Sequence, residues 1–458
     1  MNVVVTGGSG QLGTQVLRRL LDDRSAQRIV AIDLKPPRLI GKKLSGVLMD
    51  VRDPAIGEHL RGCDALIHLA FIVAQQRPRG LIDSVNVGGS KNVFGAAAAA
   101  GVKTIVYTSS VAAYGILPGH PRPITEETPR KLHEGFPYAA AKYRVEEFLD
   151  TFEKEHPDVA VSRLRPSIFI GPGMDHPLGA ALRRGFVPDL GGRSLPLVWN
   201  EDVADAILLA LQKRARGAFI LSADEPISAK ALAHAMGFRR LRISRAAALV
   251  AARISPALAR LGLMREIDRA WIDANEVELA FSSKKAREEL GWKPRCNTSI
   301  EVARRYVETV PRRLDARIIA FLKLIDAAGR FMPPQIELQG FRSRIHLALG
   351  GPDGGDASLA VEGGRIRARL GAPEAPTAII TLKASLLLDL LGGRADLSTS
   401  QLTGRIRVEG EGHAYLVFGG LVTQFKSARE APGARGHVGR LLQRFIAGPP
   451  AQERRASP

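Results

Sequence analysis

The stretch that decides the fold is MNVVVTGGSGQLG at 1–13, with QVLRRLL at 15–21 close behind it. Val3, Val4 and Val5 are β-branched and continuous, as in a strand buried on both faces of a parallel sheet. Glycines at 7, 8, 10 and 13 follow. Residues without a Cβ allow the backbone to take positive φ and to approach a ligand closely. A helix beginning near Gln11 would then aim unpaired N–H groups and its positive dipole end over the loop, which suits a pyrophosphate. Gly8, Gly10 and Gly13 satisfy G-x-G-x-x-G, and Gly7, Gly10 and Gly13 the related G-x-x-G-x-x-G. Either pattern alone also occurs in glycine turns that hold no nucleotide.

Working outward, RIVAIDL at 28–34 reads as a second strand ending in Asp33, about 20 residues past the glycines. There the dinucleotide fingerprint places an acid to accept hydrogen bonds from the adenosine ribose. A 2′-phosphate would meet a like charge, so the spacing favours NAD over NADP, although Lys35 and Arg38 lie close by in sequence. SGVLMDVRD at 45–53, CDALIHLA at 63–70 and KTIVYTSS at 103–110 read as further strands, with an alanine-rich helix over 84–100. This alternation predicts an α/β fold: a doubly wound parallel sheet with helices on both faces, each strand presenting its carboxyl end to one crevice.

Two residues beyond the fifth strand carry acid–base chemistry. Tyr138 and Lys142, in FPYAAAKYRVEEF, stand four apart and project from one face of a helix. Bringing a phenol from a pKa of about 10 to about 7 takes roughly 4 kcal/mol of preferential stabilisation of its anion. One ammonium about 4–6 Å away supplies about 3–4 kcal/mol at an effective dielectric of about 20, and an oxidised nicotinamide adds to it. Ser110, at the neighbouring strand end, can hold the same substrate oxygen in line. The competing account of such a pair is an exposed duo on an amphipathic helix.

Composition bounds the rest. The chain has 458 residues, enough for two or three domains, and its 45% hydrophobic and 24% charged content is that of a globular protein. Cys63 and Cys296 stand in no metal-ligand spacing and read as reduced thiols, and no metal site is expected. No signal peptide or membrane span fits, so a cytoplasmic location is expected. The net charge of +19 raises nucleic acid as a partner, but aromatics are only 5% and no nucleic-acid-binding signature occurs. A compositional bias toward arginine accounts for the charge as well as a basic footprint would.

TGGSGQLG, the Asp33 strand end, HLA at 68–70, NVGGSKNV at 86–93, TSSVAAYG at 108–115, YAAAK at 138–142, RPSIFIGPG at 165–173 and LGWKP at 290–294 occur in this order. Together they resemble the extended short-chain dehydrogenase/reductase family, the NAD-dependent epimerase/dehydratase group, over roughly 1–310. The resemblance implies a Rossmann domain with a small substrate subdomain (1–312). It makes Tyr138 the proton donor or acceptor, with Lys142 lowering its pKa and holding the nicotinamide ribose, and Ser110 orienting substrate. Gly7, Gly10, Gln11, Leu12, Gly13 and Asp33 would hold the cofactor. Asp50 and Val51 would flank the adenine, Leu69 and Ala70 the pyrophosphate and ribose side, and Pro166 the nicotinamide. Asn86 belongs to the family's helix motif. The substrate-side carboxylates of dehydratases have no assignable counterpart. Phe71, Ile72 and Val73 fall beside the expected nicotinamide and suit an apolar substrate better than a sugar. His176 is a loop histidine or a substrate contact.

Segment 238–272 is apolar at helical spacing and rich in arginine, with Pro256 expected to break it into two helices. Such helices lie on an anionic membrane or simply present a solvated face. Beyond it, DARIIAFLKLIDAAGR at 315–330 reads as a helix. Strands at 343–349, 357–364, 365–371, 377–382 and 402–411, with a helix at 385–393, predict an antiparallel sheet covered on one face. This arrangement resembles the sterol-carrier-protein family. That implies a separate α+β lipid-binding domain (313–432), followed by a basic mobile tail (433–458). The whole therefore reads as an NAD-dependent oxidoreductase acting on a hydroxyl or ketone of a sterol-like or acyl substrate. A membrane surface and a second copy are further candidate partners. Two alternatives stand beside it: a nucleotide-sugar epimerase or dehydratase, and a non-catalytic, NAD-responsive lipid-binding protein.

Overall fold

The computed structural model describes residues 1–73, 79–172, 177–191, 194–260, 267, 269–310, 314–331, 338, 340–351 and 353–427. The chain divides into two compact units, one made of Met1–Pro37 and Lys42–Val307, the other of Arg38–Gly41 and the chain from Glu308 onward. His176, Gly173 and the tail at 433–458 lie outside the described residues.

The first unit opens with β1 (Asn2–Thr6), α1 (Gln11–Asp22), β2 (Arg28–Asp33), β3 (Leu44–Leu48), α2 (Ile56–Leu60) and β4 (Ala65–His68). Next come α3 (Arg79–Asp83), a π-helical turn (Ser84–Gly88), α4 (Gly89–Ala99), β5 (Thr104–Thr108), a 3-10 turn (Val111–Tyr114), α5 (Pro137–Glu155) and β6 (Ala160–Pro166). The remainder is β7 (Ile168–Ile170), α6 (Pro177–Arg183), β8 (Phe186–Asp189), β9 (Leu197–Trp199), α7 (Asn200–Lys213), β10 (Gly217–Leu221), α8 (Ala229–Met236), β11 (Arg239–Arg242), α9 (Arg245–Arg260), α10 (Arg269–Ala274), α11 (Lys284–Glu289) and α12 (Ser299–Thr309).

Seven strands pair in the order β10-β6-β5-β4-β1-β2-β3, all parallel. This is the doubly wound sheet that the alternation predicts. The order reverses between β1 and β4, and ligands of open α/β sheets sit at that switch, outside the carboxyl ends of the strands. Val4, Val30, Ile32, Leu66, Ile105 and Phe94 share one buried cluster there.

Two expectations fail in the arginine-rich segment. Residues 239–242 form β11, paired with β8, so three of its arginines lie on a strand. Pro256 sits inside a continuous α9. A proline leaves the carbonyl four residues back without its N–H donor, and here the Ser255 hydroxyl donates to that Ala252 carbonyl at 3.0 Å. The helix keeps its acceptor occupied and runs on.

The second unit comprises α13 (Ala316–Phe331), β12 (Ser343–Gly350), β13 (Gly355–Glu362), β14 (Arg365–Leu370), β15 (Ala378–Lys383), α14 (Ala384–Leu391), α15 (Leu397–Leu402), β16 (Ile406–Gly410) and α16 (His413–Ser427). Its sheet is ordered β14-β13-β12-β15-β16. β12 and β15 run parallel, which corrects the expected antiparallel sheet. Period-two alternation reports which face is buried, not which way the neighbour runs. Ile345, Leu347, Leu359 and Ile380 form one core with Ile318 and Phe321 of α13, Leu387 and Leu391 of α14, and Phe418 of α16. Among the described residues, no helix of either unit is long and apolar enough to cross a membrane.

Gly329 fixes how α13 meets the edge strand β14, because a Cβ there would lie 1.8 Å from the Ile366 carbonyl oxygen. Gly329→Ala is expected to destabilise the second unit by about 1–3 kcal/mol, the usual cost of overpacking. Denaturant unfolding checks this, and an unchanged midpoint would show that the contact is slack.

Candidate active site

The glycine turn is built by exclusion. Gly7 has φ of 73°, and a Cβ on it would lie 2.7 Å from the Ala70 nitrogen; one on Gly13 would lie 2.2 Å from the Gly7 carbonyl oxygen. The carboxyl ends of β1 and β4 thus approach backbone to backbone. The Leu69 amide donates to the Thr6 carbonyl at 3.1 Å. Helix α1 starts from Gly10 with no side-chain cap, so nothing from a capping side chain competes for its first-turn amides, Leu12 and Gly13 among them. Gln11 turns sideways, its amide donating to the Pro172 carbonyl at 3.1 Å. Asp33 accepts the Ser9 amide at 3.0 Å, which brings the acid of β2 against the loop. A carboxylate has lone pairs left for a ribose after one such bond.

Beneath the turn lies a buried relay that sequence reasoning missed. The Ser90 hydroxyl donates to the Asn86 carbonyl at 2.6 Å, so it accepts from His68 Nε2 at 2.9 Å. Nδ1 of His68 is then the acceptor, taking the Thr6 hydroxyl proton at 2.7 Å. Burial, with the Lys142 charge added, pushes His68 down to about 3. Asn86 clasps the backbone of Ile72 in both directions, at 2.7 and 3.0 Å. It thereby sets the loop that carries Phe71.

Asp50 and Val51, expected at the adenine, lie just past the end of β3. Asp50 is bonded to Arg52, whose guanidinium and amide hold its carboxyl below the usual range. Val51 is buried in the core under α4, where a Cβ on Gly89 would lie 2.6 Å from its methyl carbon.

Ser110, Tyr138 and Lys142 come together. Ser110 caps the 3-10 turn, its hydroxyl accepting the Ala112 amide at 3.1 Å, and it draws the Tyr138 phenol downward against the effect of burial. The Lys142 ammonium is buried, donates to the Thr108 carbonyl at 2.7 Å and to the Tyr107 hydroxyl at 3.3 Å, and lies 3.5 Å from the Phe71 ring centroid and 6.0 Å from that of Tyr138. Burial pushes Lys142 well below the ordinary lysine value, against the pull of Glu146. Burial also raises Tyr138, opposed by Ser110. The expected lowering of the phenol by Lys142 is therefore not what the protein alone provides: the ammonium is engaged with backbone and phenyl ring instead.

Glu146, one turn beyond Lys142, is fully buried. It accepts Ser109 Oγ at 2.5 Å, Arg165 Nε at 2.9 Å and Arg130 Nη1 at 3.1 Å. Burial alone would raise this carboxyl, but Arg165, Arg130 and Ser109 hold it below the usual range. Arg165 precedes Pro166 at the end of β6, and its Nη1 donates to the Tyr114 hydroxyl at 2.6 Å. Around Tyr138 stand three aromatic rings: Phe71 edge-on at 5.7 Å, Phe136 at 6.1 Å and Trp271 of α10 at 6.0 Å between centroids.

The residues fit a dinucleotide. The turn at Gly7 and Gly13 is bare backbone leading into the uncapped first turn of α1, and Thr108 Oγ1 and Ser167 Oγ, flanking the lysine and Pro166, are buried with no hydrogen-bond partner. Among the described residues no cluster of metal ligands occurs.

The His68 relay has a pH signature. A histidine neutral when folded down to about 3, but titrating near 6.5 when unfolded, stabilises fully above about pH 6.5. That contribution should be lost as pH falls toward 3, by about 1.4 kcal/mol per unit. Urea unfolding at pH 7 and pH 5 should show a flatter acid limb for His68→Gln, and equal slopes would contradict the assignment.

Comparison with known proteins places this geometry. The profile of the NAD dependent epimerase/dehydratase family matches residues 3–220. An uncharacterized protein of Mycobacterium tuberculosis is 30% identical over 236 residues, which are 48% of this chain and 62% of that protein. The chain thus spans less than two thirds of that relative. The N-acetyl-alpha-D-glucosaminyl-diphospho-ditrans,octacis-undecaprenol 4-epimerase of Escherichia coli O157:H7 is 32% identical over 177 residues, 37% of this chain and 49% of the epimerase. Among solved structures, the dTDP-glucose 4,6-dehydratase of Streptomyces venezuelae, crystallised with NAD, shares the fold at TM-score 0.53 and 20% identity, covering 67% of this chain and 97% of that one. Residues 3–220, a little under half of the chain, are thus similar to the NAD dependent epimerase/dehydratase family.

Proposed function

We propose that the protein is an NAD-dependent oxidoreductase acting on a hydroxyl or ketone of an apolar substrate. Gly7, Gly10, Leu12 and Gly13 would hold the pyrophosphate through backbone N–H groups, and Asp33 the adenosine ribose. NAD, when bound, accepts or returns a hydride. Tyr138 takes or gives the substrate's hydroxyl proton, and Ser110 aligns the same oxygen. Lys142, beside Thr108 and Phe71, would hold a hydroxyl of the nicotinamide ribose and add positive charge near the phenol.

The observation that carries the apolar reading is the wall of Phe71, Phe136 and Trp271 around Tyr138. Every sugar hydroxyl buried there would need a polar partner, at about 1–3 kcal/mol for each one unmet. The second unit supports the same reading through a groove of about 310 Å³, whose apolar lining of Ile319, Leu322, Ala327, Ala368 and Leu370 is bordered by Lys323, Arg369 and Asp326. This is the lower range for small-molecule sites. We assign it a lipid, whose tethering would raise the local concentration of a poorly soluble substrate.

A second reading, a sugar epimerase or dehydratase, is favoured by the relatives. The Escherichia coli epimerase is named for a sugar joined to undecaprenol, a substrate both sugar and lipid. Nicotinamide absorbance with long-chain alcohols, sterols and nucleotide sugars separates the two readings. Tyr138→Phe should lower turnover about 100- to 10,000-fold while NAD binding persists; normal turnover would remove Tyr138 from the chemistry.

A further inference from the structure

Residues 239–271 hold eight arginines against two acids, Glu266 and Asp268, in a chain whose net charge is +19. The same stretch is unusually greasy on its outside. Of thirteen large apolar side chains exposed among the described residues, four fall here: Leu241, Val250, Ile254 and Trp271. On α9 they follow a pattern. At about 100° per residue, Ala246, Ala247, Val250, Ile254 and Ala257 share one arc, and all five are exposed. Val250 is 60% and Ile254 49% exposed. Ala248 and Ser255 are buried on the opposite side. A surface helix ordinarily shows water its charged face and the core its apolar one; α9 shows water an apolar arc.

The charge around the arc names the partner. Some arginines are neutralised within the protein: Arg240 by Asp189, Arg245 by Asp273 and Glu276, and Arg269 by Asp273. Arg253, at the edge of the arc, and Arg239 and Arg242 on β11 are exposed. We propose that the α9 face, with Arg253 at its edge and Arg239 and Arg242 exposed on the strand that leads into the helix, docks on an anionic lipid surface. Aliphatic residues enter the headgroup boundary while arginines hold lipid phosphates, the arrangement of interfacial helices. A second copy is a poorer occupant, because the same basic surface would face itself. Alanine, valine and isoleucine also lack the aromatic anchors that dominate protein interfaces.

The surface adjoins the site. Helix α10 packs on α9 and carries Trp271, whose ring lies 4.8 Å from Phe136 and 6.0 Å from Tyr138. On the apolar-substrate reading, docking would bring the aromatic wall to the phase that holds the substrate. Docking itself needs no turnover, so the two ideas fail separately.

Co-sedimentation of the full chain with vesicles of phosphatidylcholine, with and without phosphatidylglycerol, tests the proposal. Binding is expected only to the anionic vesicles and should fall with added salt. Val250→Asp combined with Ile254→Asp, at positions already in water, should abolish it. Arg253→Glu should weaken it at least about fivefold, from roughly 1 kcal/mol per basic residue at such a surface. Tyr138→Phe should bind vesicles like the parent chain. Absence of binding, equal binding to neutral vesicles, or full binding by the double variant would overturn the proposal. So would a dimer that the double variant dissociates while the parent ignores vesicles.

Discussion

The geometry around Tyr138 and Lys142 hangs on one buried carboxylate. Glu146 is withdrawn from water, where an isolated charge would cost several kcal/mol. It is kept ionised because Arg165, Arg130 and Ser109 converge on its two oxygens. Those partners come from separate segments, so the condition for burying the charge is that they meet. Ser109 fixes the strand end that presents Ser110, Arg165 fixes the strand end that presents Pro166, and Glu146 itself lies on the helix of Tyr138 and Lys142. Arg130 and Arg163 share Asp150 on the same helix, extending the network outward.

On the other side of the crevice the constraint is steric. Gly7 against Ala70 and Gly13 against Gly7 leave no space for side chains, so β1 and β4 open around a loop of bare backbone. The Thr6–His68–Ser90–Asn86 relay ties the same strand ends to α4 and to the π-helical turn, a type of irregularity that recurs at functional sites. From Asn86 the order passes to Ile72, and so to the loop whose Phe71 lies under the lysine. The glycine turn and the helix of Tyr138 and Lys142 therefore have different supports, one made of absent side chains and one of paired charges.

The parts of this that sequence makes legible are those written in short spacings. The glycine turn, Asp33 at the end of β2, and Tyr138 four residues from Lys142 depend on local periodicity, and the parallel sheet follows from alternation. What stays hidden depends on distant partners. Glu146 reads as one more charge on an amphipathic helix until Ser109 and Arg165, 37 and 19 residues away, close on it. Trp271 lies far along the chain from Tyr138, in a segment whose arginines draw attention to its outer face. Pro256 predicts a break, because its rescue by Ser255 is a side-chain contact. The parallel pairing of β12 with β15 leaves no mark on alternation, since both directions bury the same face. The role of Lys142 is also richer than its spacing suggests, because burial and the Thr108 carbonyl shape its charge before any cofactor arrives.

Hydrogen exchange in a Glu146→Gln variant measures the central claim most directly. A neutral amide keeps the size of the side chain and removes the charge on which the arginines converge. If the carboxylate is the common tie, amide protection should fall together at 107–112, at 137–146 and at 163–167, while 2–6 and 28–33 keep theirs. Loss confined to α5, or no loss, would show that the three elements hold the site without it.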